Sequence, residues 1–164
     1  RGQSYDKDGQ WAATGEISES LLSALLTDSY FKKSYPKSTG REHFNLAWLQ
    51  KSAGAALKQM QVQDVQATLL QLTAQTIATA INGLKPDNIY FCGGGVHNLH
   101  LITQIKNLTE ASVVDFNSLG IDPDLVEATA FAWLAKQCIN GNTGTLPSVT
   151  GATKAVITGA IYQF

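Results

Sequence analysis

Between residues 64 and 92 the apolar residues change their period, and that change decides the class of fold. Over 64–84, Val65, Leu69, Leu72, Ile77, Ala80 and Ile81 recur near helical spacing among Gln, Thr and Ala. This predicts a long amphipathic helix. Asp64 suits its N-terminus, Gly83 lies near its stop and Pro86 follows. At 88–92 the run NIYFC is short, apolar and rich in β-formers, so it predicts a buried strand. Gly93, Gly94 and Gly95 end it. A helix over 99–108, a strand over 112–115 (SVVD) and a helix over 123–137 follow. Asp122 is placed to cap the last of these, with Pro123 at its first helical position. Strand–helix–strand–helix with short connections builds a parallel sheet, so the second half, 87–164, is α/β.

The first half, 1–86, is mainly helical. Residues 1–16 are polar and punctuated by glycine, which predicts a loop in which Asp6 and Asp8 are solvated. Ser18 can cap a helix over 19–26 whose stripe is Leu21, Leu22, Leu25 and Leu26. Asp28 can cap a short turn through Tyr30 and Phe31. Residues 36–41 form a loop bracketed by Pro and Gly, and 45–52 a short helix carrying Leu46, Trp48 and Leu49. Residues 54–61 connect it to the long helix. Residues 140–153 read as a Gly/Thr-rich loop, and 155–162 (AVITGAIY) as a final strand or a short buried helix. Two or three strands make a poor sheet, so its partners are expected outside this chain.

The chain has 164 residues, which fits one domain. Its formal net charge of -1 argues against a dedicated nucleic-acid binder, which needs a basic face for phosphates. No apolar run approaches a membrane span. Hydrophobic residues at 44 % allow a real core, but charged residues at 15 % are few, which points to surface covered by something else. Cys92 and Cys138 stand in apolar surroundings and read as buried free thiols. The chain opens at Arg1 without an initiator Met and reads as a segment of a longer protein.

Three features could carry chemistry. The run FCGGGVHN puts three glycines where a strand turns into a helix. A backbone without Cβ atoms lets a flat ligand approach, and the helix behind offers free N–H groups. Asn98 lies on its first turn, where it could bond a base or ribose. The pattern is not GxGxxG, but Asp115 follows Gly93 by 22 residues, where a dinucleotide fold places its ribose acid. A tight turn without a ligand and a nucleotide site both fit it. Glu127 lies in a helix apolar nearly all round, so it either faces a polar cavity or marks a surface first turn. The segment Lys37-Ser38-Thr39-Gly40-Arg41-Glu42 gathers cations and hydroxyls suited to an anion or a sugar, or is simply a solvated loop. The segment 147–152, with Thr150, is similar in kind. His43, His97 and His100 have no metal spacing, so no metal site is expected. Trp48, Phe131, Trp133 and Tyr162 are expected in a core or an interface.

Five ordered segments carry a more specific signal: YDKDGQWAATG (5–15), PKSTGREHFN (36–45), FCGGGVHNLHL (91–101), DPDLVEATAFAWLA (122–135) and LPSVTGA (146–152). In this order the chain resembles the C-terminal part of the anhydro-N-acetylmuramic acid kinases. The resemblance implies part of a ribonuclease-H-like lobe of the sugar kinase, Hsp70 and actin superfamily. It implies an enzyme that uses ATP and Mg2+ to phosphorylate 1,6-anhydro-N-acetylmuramic acid while water opens the anhydro ring. The product, N-acetylmuramic acid 6-phosphate, belongs to bacterial cell-wall recycling in the cytoplasm. On that resemblance Gly93, Gly94, Gly95 and Asn98 hold the adenosine and Glu127 holds sugar. Lys37, Arg41 and Thr150 take further ligand roles. The family's phosphate loop and its catalytic aspartate are absent, the latter expected shortly before Arg1. The chain alone is then expected to be inactive, to need the missing N-terminal part of the same protein, and to belong to a homodimer. A Rossmann-like cofactor domain using Asp115 and a non-enzymatic helical interaction module remain as alternative readings.

Overall fold

A computed structural model describes residues 2–162; Arg1 lies outside the described residues. Local capping chemistry sets most element boundaries. Ser18 is extended, and its hydroxyl accepts from the Leu21 N–H at 3.3 Å to open α1 (Glu19–Leu26). The Asp28 carboxylate accepts from the Tyr30 N–H and starts a 3-10 turn, Ser29–Lys32. Asn45 accepts from the Trp48 N–H at 3.0 Å and opens α2 (Leu46–Ala53). Residues 54–61, read as a connector, contain a further 3-10 helix, Gly54–Gln59. The long helix α3 (Val62–Leu84) begins two residues before the expected Asp64 and ends on Lys85, which is left-handed at φ 50°.

The core lies where α1, α2 and α3 meet, around Leu21, Leu22, Leu25, Leu49 and Leu72. Leu25 is completely buried, and such a side chain is worth roughly 2 kcal/mol of transfer free energy. Thr68 is equally buried on α3. Its hydroxyl donates to the Asp64 carbonyl and accepts from the Ser18 N–H at 3.0 Å, so the polar group is satisfied and ties α1 to α3. Gly15 allows a closer approach still: a Cβ there would collide with the Gln63 backbone.

The first sixteen residues are more ordered than a loop. They hold two 3-10 turns, Lys7–Gly9 and Ala12–Thr14. Asp6, expected to be solvated, is half-buried, and its carboxylate accepts from the Trp11 and Ala12 N–H groups at 2.8 and 2.9 Å.

Past α3 the chain forms β1 (Asn88–Tyr90), a 3-10 turn Gly94–His97, α4 (Leu99–Leu108) and β2 (Ser112–Val114). The strands pair in parallel, Asn88 opposite Ser112 and Tyr90 opposite Val114. The result is a helix-rich α/β chain with a two-stranded parallel sheet. Helix α4 buries Ile105 to 1 % exposure. A 3-10 turn, Pro123–Leu125, then leads into α5 (Val126–Ile139), with the Asp122 carboxylate accepting from the Asp124 N–H.

Four burial expectations need correction. The first strand is not buried: Asn88 and Tyr90 are exposed, because a sheet of two strands has no neighbours to cover it. Helix α5 is not buried either, with Phe131 64 % and Trp133 50 % exposed. An all-round apolar helix needs a covering layer, and Phe131 and Trp133 are left largely uncovered here. Cys92 is exposed and Cys138 half-exposed, so neither is a buried thiol. Tyr162 is exposed as well, whereas Trp48 is half-buried. Residues 155–162 form neither strand nor helix, and 140–153 contain the short helix α6 (Pro147–Thr150).

Candidate functional site

The glycine turn follows β1 directly. Gly93 takes φ 76° and ψ -179°, a conformation that only glycine adopts readily. Its N–H donates to the Pro123 carbonyl at 3.0 Å, which ties the turn to the segment leading into α5. A Cβ built on Gly93, Gly94 or Gly95 would meet nothing within 4 Å, so the backbone faces open space that a ligand can fill. Asn98 is less free than expected. Its side-chain oxygen caps α4 by accepting from the Leu101 N–H at 3.0 Å, and it packs directly over Gly9. One carboxamide nitrogen is left for a ligand.

Glu127 lies in the first turn of α5, four residues after the carbonyl that holds Gly93. It is exposed, which answers the question the helix pattern leaves open: the residue sits at a surface. The Gly93–Pro123 bond brings the glycine turn and the helix of Glu127 into one corner.

The other three candidates gather elsewhere. Lys37 is half-buried, and its ammonium donates to the Tyr30 and Phe31 carbonyls at 3.2 and 3.4 Å while lying 4.9 Å from the centre of the Tyr30 ring. Two of its three N–H groups thus have partners within its own loop. Arg41 is exposed, and its carbonyl accepts from the Asn45 side chain. Thr150 donates to the Leu146 carbonyl within α6. Gly151, just past α6, lies against Pro36, so the loops of Lys37 and Thr150 touch.

Beneath the Lys37 loop lies a network that spacing does not announce. Asp28 Oδ2 accepts from Trp48 Nε1 at 2.8 Å and contacts His43 Nε2 at 3.0 Å. The Tyr30 N–H bond, joined by those to His43 and Trp48, holds the Asp28 carboxyl down at about 2 against the opposing effect of burial. Phe44 stacks on Phe31 with centroids 5.4 Å apart and meets Trp48 edge-on. His97 Nε2 lies 2.8 and 3.0 Å from the two Asp124 oxygens. No sequence signal joins residues 27 positions apart.

Asp115 caps the 3-10 turn Phe116–Leu119, its Oδ1 accepting from the Asn117 backbone and side chain. Among the described residues no three His, Cys, Asp or Glu side chains come together to hold a metal ion. No helix of the described residues is long and apolar enough to cross a membrane.

A family model described as anhydro-N-acetylmuramic acid kinase matches residues 1–164. The chain is 46 % identical over 161 residues to an anhydro-N-acetylmuramic acid kinase of Coxiella burnetii (strain RSA 493 / Nine Mile phase I), covering 96 % of this chain and 43 % of that one. It is 46 % identical over 165 residues to that of Pseudomonas fluorescens (strain Pf0-1), covering 99 % and 45 %. To that of Shewanella woodyi (strain ATCC 51908 / MS32) it is 44 % identical over 162 residues, covering 98 % and 44 %. The chain thus spans less than half the length of these relatives. These matches do not support the expected placement in the C-terminal part of the family's chain; they establish a share of length only.

Proposed function

Because the chain belongs to the anhydro-N-acetylmuramic acid kinase family, we propose that the protein it forms part of phosphorylates 1,6-anhydro-N-acetylmuramic acid, with ATP as donor and water opening the anhydro bridge. The product would be N-acetylmuramic acid 6-phosphate, as a cytoplasmic step of peptidoglycan recycling. The observation that carries this reading is the family match along all 164 residues. The geometry supports it: an open glycine turn and an exposed carboxylate are brought together by one backbone hydrogen bond.

In this reading the chain contributes binding groups to an actin-like, ribonuclease-H-like lobe. Gly93, Gly94 and Gly95 present bare backbone to the flat adenine and ribose. The free amide of Asn98 donates to a nucleoside oxygen or nitrogen. Glu127 accepts from sugar hydroxyls and orients the ring, which lowers the entropic part of the barrier. Lys37, Arg41 and Thr150 serve the sugar side through the loop that Pro36 and Gly151 join. ATP supplies the transferred phosphoryl group when bound. The base that activates water, the phosphate loop and the Mg2+ ligands belong to parts of the longer protein outside this chain, and that protein acts as a homodimer.

The test is ATP-dependent turnover of the anhydro sugar by the full-length protein. We expect a phosphorylated, ring-opened product by mass spectrometry, and a fall in turnover of about tenfold or more in Glu127→Gln, since hydrogen bonds to a charged group are worth about 1.5–3 kcal/mol. Gly94→Leu, at a position with open space around it, should raise KM for ATP without loss of folding. An unmodified sugar, or ADP release that ignores the sugar, overturns the reading.

A further inference from the structure

We infer that His97 is a positioning residue that clasps the nucleotide turn to the segment carrying Glu127. The inference rests on the reading of the glycine turn as the seat of the nucleotide.

A turn made of Gly93, Gly94 and Gly95 has no side chains of its own to pack, and nothing lies within 4 Å of where their Cβ atoms would be. Glycine also retains the most backbone freedom, so such a turn keeps one shape only if its flanks are held. On the α4 side Asn98 does this, capping the helix and lying against Gly9. On the opposite side there are two ties. One is the Gly93 N–H on the Pro123 carbonyl. The other is His97 on Asp124, at 2.8 and 3.0 Å. Among the described residues this is the only side-chain bond between the turn and residues 122–139. The Asp124 end is itself fixed, since its N–H donates to the Asp122 carboxylate at 2.9 Å. Glu127 is three residues further on. The imidazole therefore spans from the last residue of the glycine turn to the entry of the helix that bears the proposed sugar ligand.

Both side chains are well exposed, His97 at 63 % and Asp124 at 51 %. Water screens such a pair, so its deletion costs little in global stability. Its effect falls on the shape of the turn, which has no other side chain to hold it on the side of residues 122–139. The expected signature is a change in nucleotide affinity with folding and chemistry preserved. Removing a contact that serves bound ATP equally in ground and transition states raises KM and leaves kcat alone.

The experiment uses the full-length kinase with saturating anhydro sugar, comparing wild type, His97→Ala, Asp124→Asn and the double variant, with His97→Gln as the conservative replacement and Gly94→Leu as control. Each single variant should raise KM for ATP about three- to fivefold, the most that an exposed pair supports. Values of kcat should stay within about twofold, Tm should be unchanged, the double variant should be no worse than either single one, and His97→Gln should recover part of the loss. An unchanged KM in His97→Ala, with Gly94→Leu impaired, overturns the clasp and spares the nucleotide turn. Additive effects in the double variant overturn it too. If Gly94→Leu also binds ATP normally, the nucleotide reading of the turn fails, and the clasp with it.

Discussion

Asp28→Asn removes the charge at the centre of the network under the Lys37 loop while keeping its shape. The size of the effect follows from the titration. The Asp28 carboxyl is held at about 2 against an ordinary 3.8, first by the Tyr30 N–H and then by the bonds to His43 and Trp48. At about 1.4 kcal/mol per tenfold change in acidity, the ionised form stabilises the fold by roughly 2 kcal/mol at neutral pH. Asp28 is 16 % exposed and His43 34 %, so water trims this figure only modestly. The folded state holds the carboxyl below its unfolded value. The contribution is therefore complete above about pH 4 and is lost as pH falls through about 2. Asparagine imitates the protonated acid at every pH. Urea unfolding of the 164-residue chain, followed by tryptophan fluorescence, should place Asp28→Asn roughly 2 kcal/mol below wild type at pH 7. The gap should shrink steadily below pH 4. A gap under about 0.5 kcal/mol at pH 7, or one that stays constant down to about pH 2.5, would refute the account.

Two further outcomes follow from packing. Leu25→Ala removes a side chain with no exposed surface and should cost about 2–5 kcal/mol in the same unfolding experiment, whereas Leu46→Ala, at 66 % exposure, should stay within about 0.5 kcal/mol. Gly15→Ala drives a methyl group into the Gln63 backbone and should cost more than about 1 kcal/mol, while Gly83→Ala, with open space around it in α3, should be neutral or stabilising by circular-dichroism melts.

Local chemistry is the part of this molecule that a sequence displays. Ser18, Asp28, Asn45, Asp115 and Asp122 each accept from an N–H two or three residues on. A cap needs nothing beyond its own turn, so the starts of helices and the turn at Gly93 are legible from a few letters. Burial is a different matter. The run from Leu125 to Ala135 reads as buried because it is apolar on all faces, yet Phe131 and Trp133 face solvent. Periodicity reports what a helix can cover, not whether a covering layer belongs to the same 164 residues. Long-range polar pairs are silent for a related reason. Asp28 meets Trp48 across 20 positions and His97 meets Asp124 across 27, and nothing in either spacing distinguishes them from chance. The candidate ligands divide along the same line. The open backbone of Gly93–95 is foreshadowed by residue type, but only coordinates show that the Lys37 ammonium is turned onto the carbonyls of Tyr30 and Phe31.

Ile105 is the last fully buried side chain along the described residues; from 106 to 162 every one is at least partly open. Cooperative opening free energies follow local burial, so amide hydrogens in α1 and α3 should be strongly protected from exchange and those in α5 weakly. Glu127 lies beyond that step, and the glycine turn, though earlier in the chain, is tied to the same lightly buried region through the Gly93–Pro123 bond. A ligand that orders so lightly buried a region gives up part of its intrinsic affinity in doing so. A surface laid over α5 would lower that entropic toll before the ligand arrives, and so would act on affinity without touching the ligand at all.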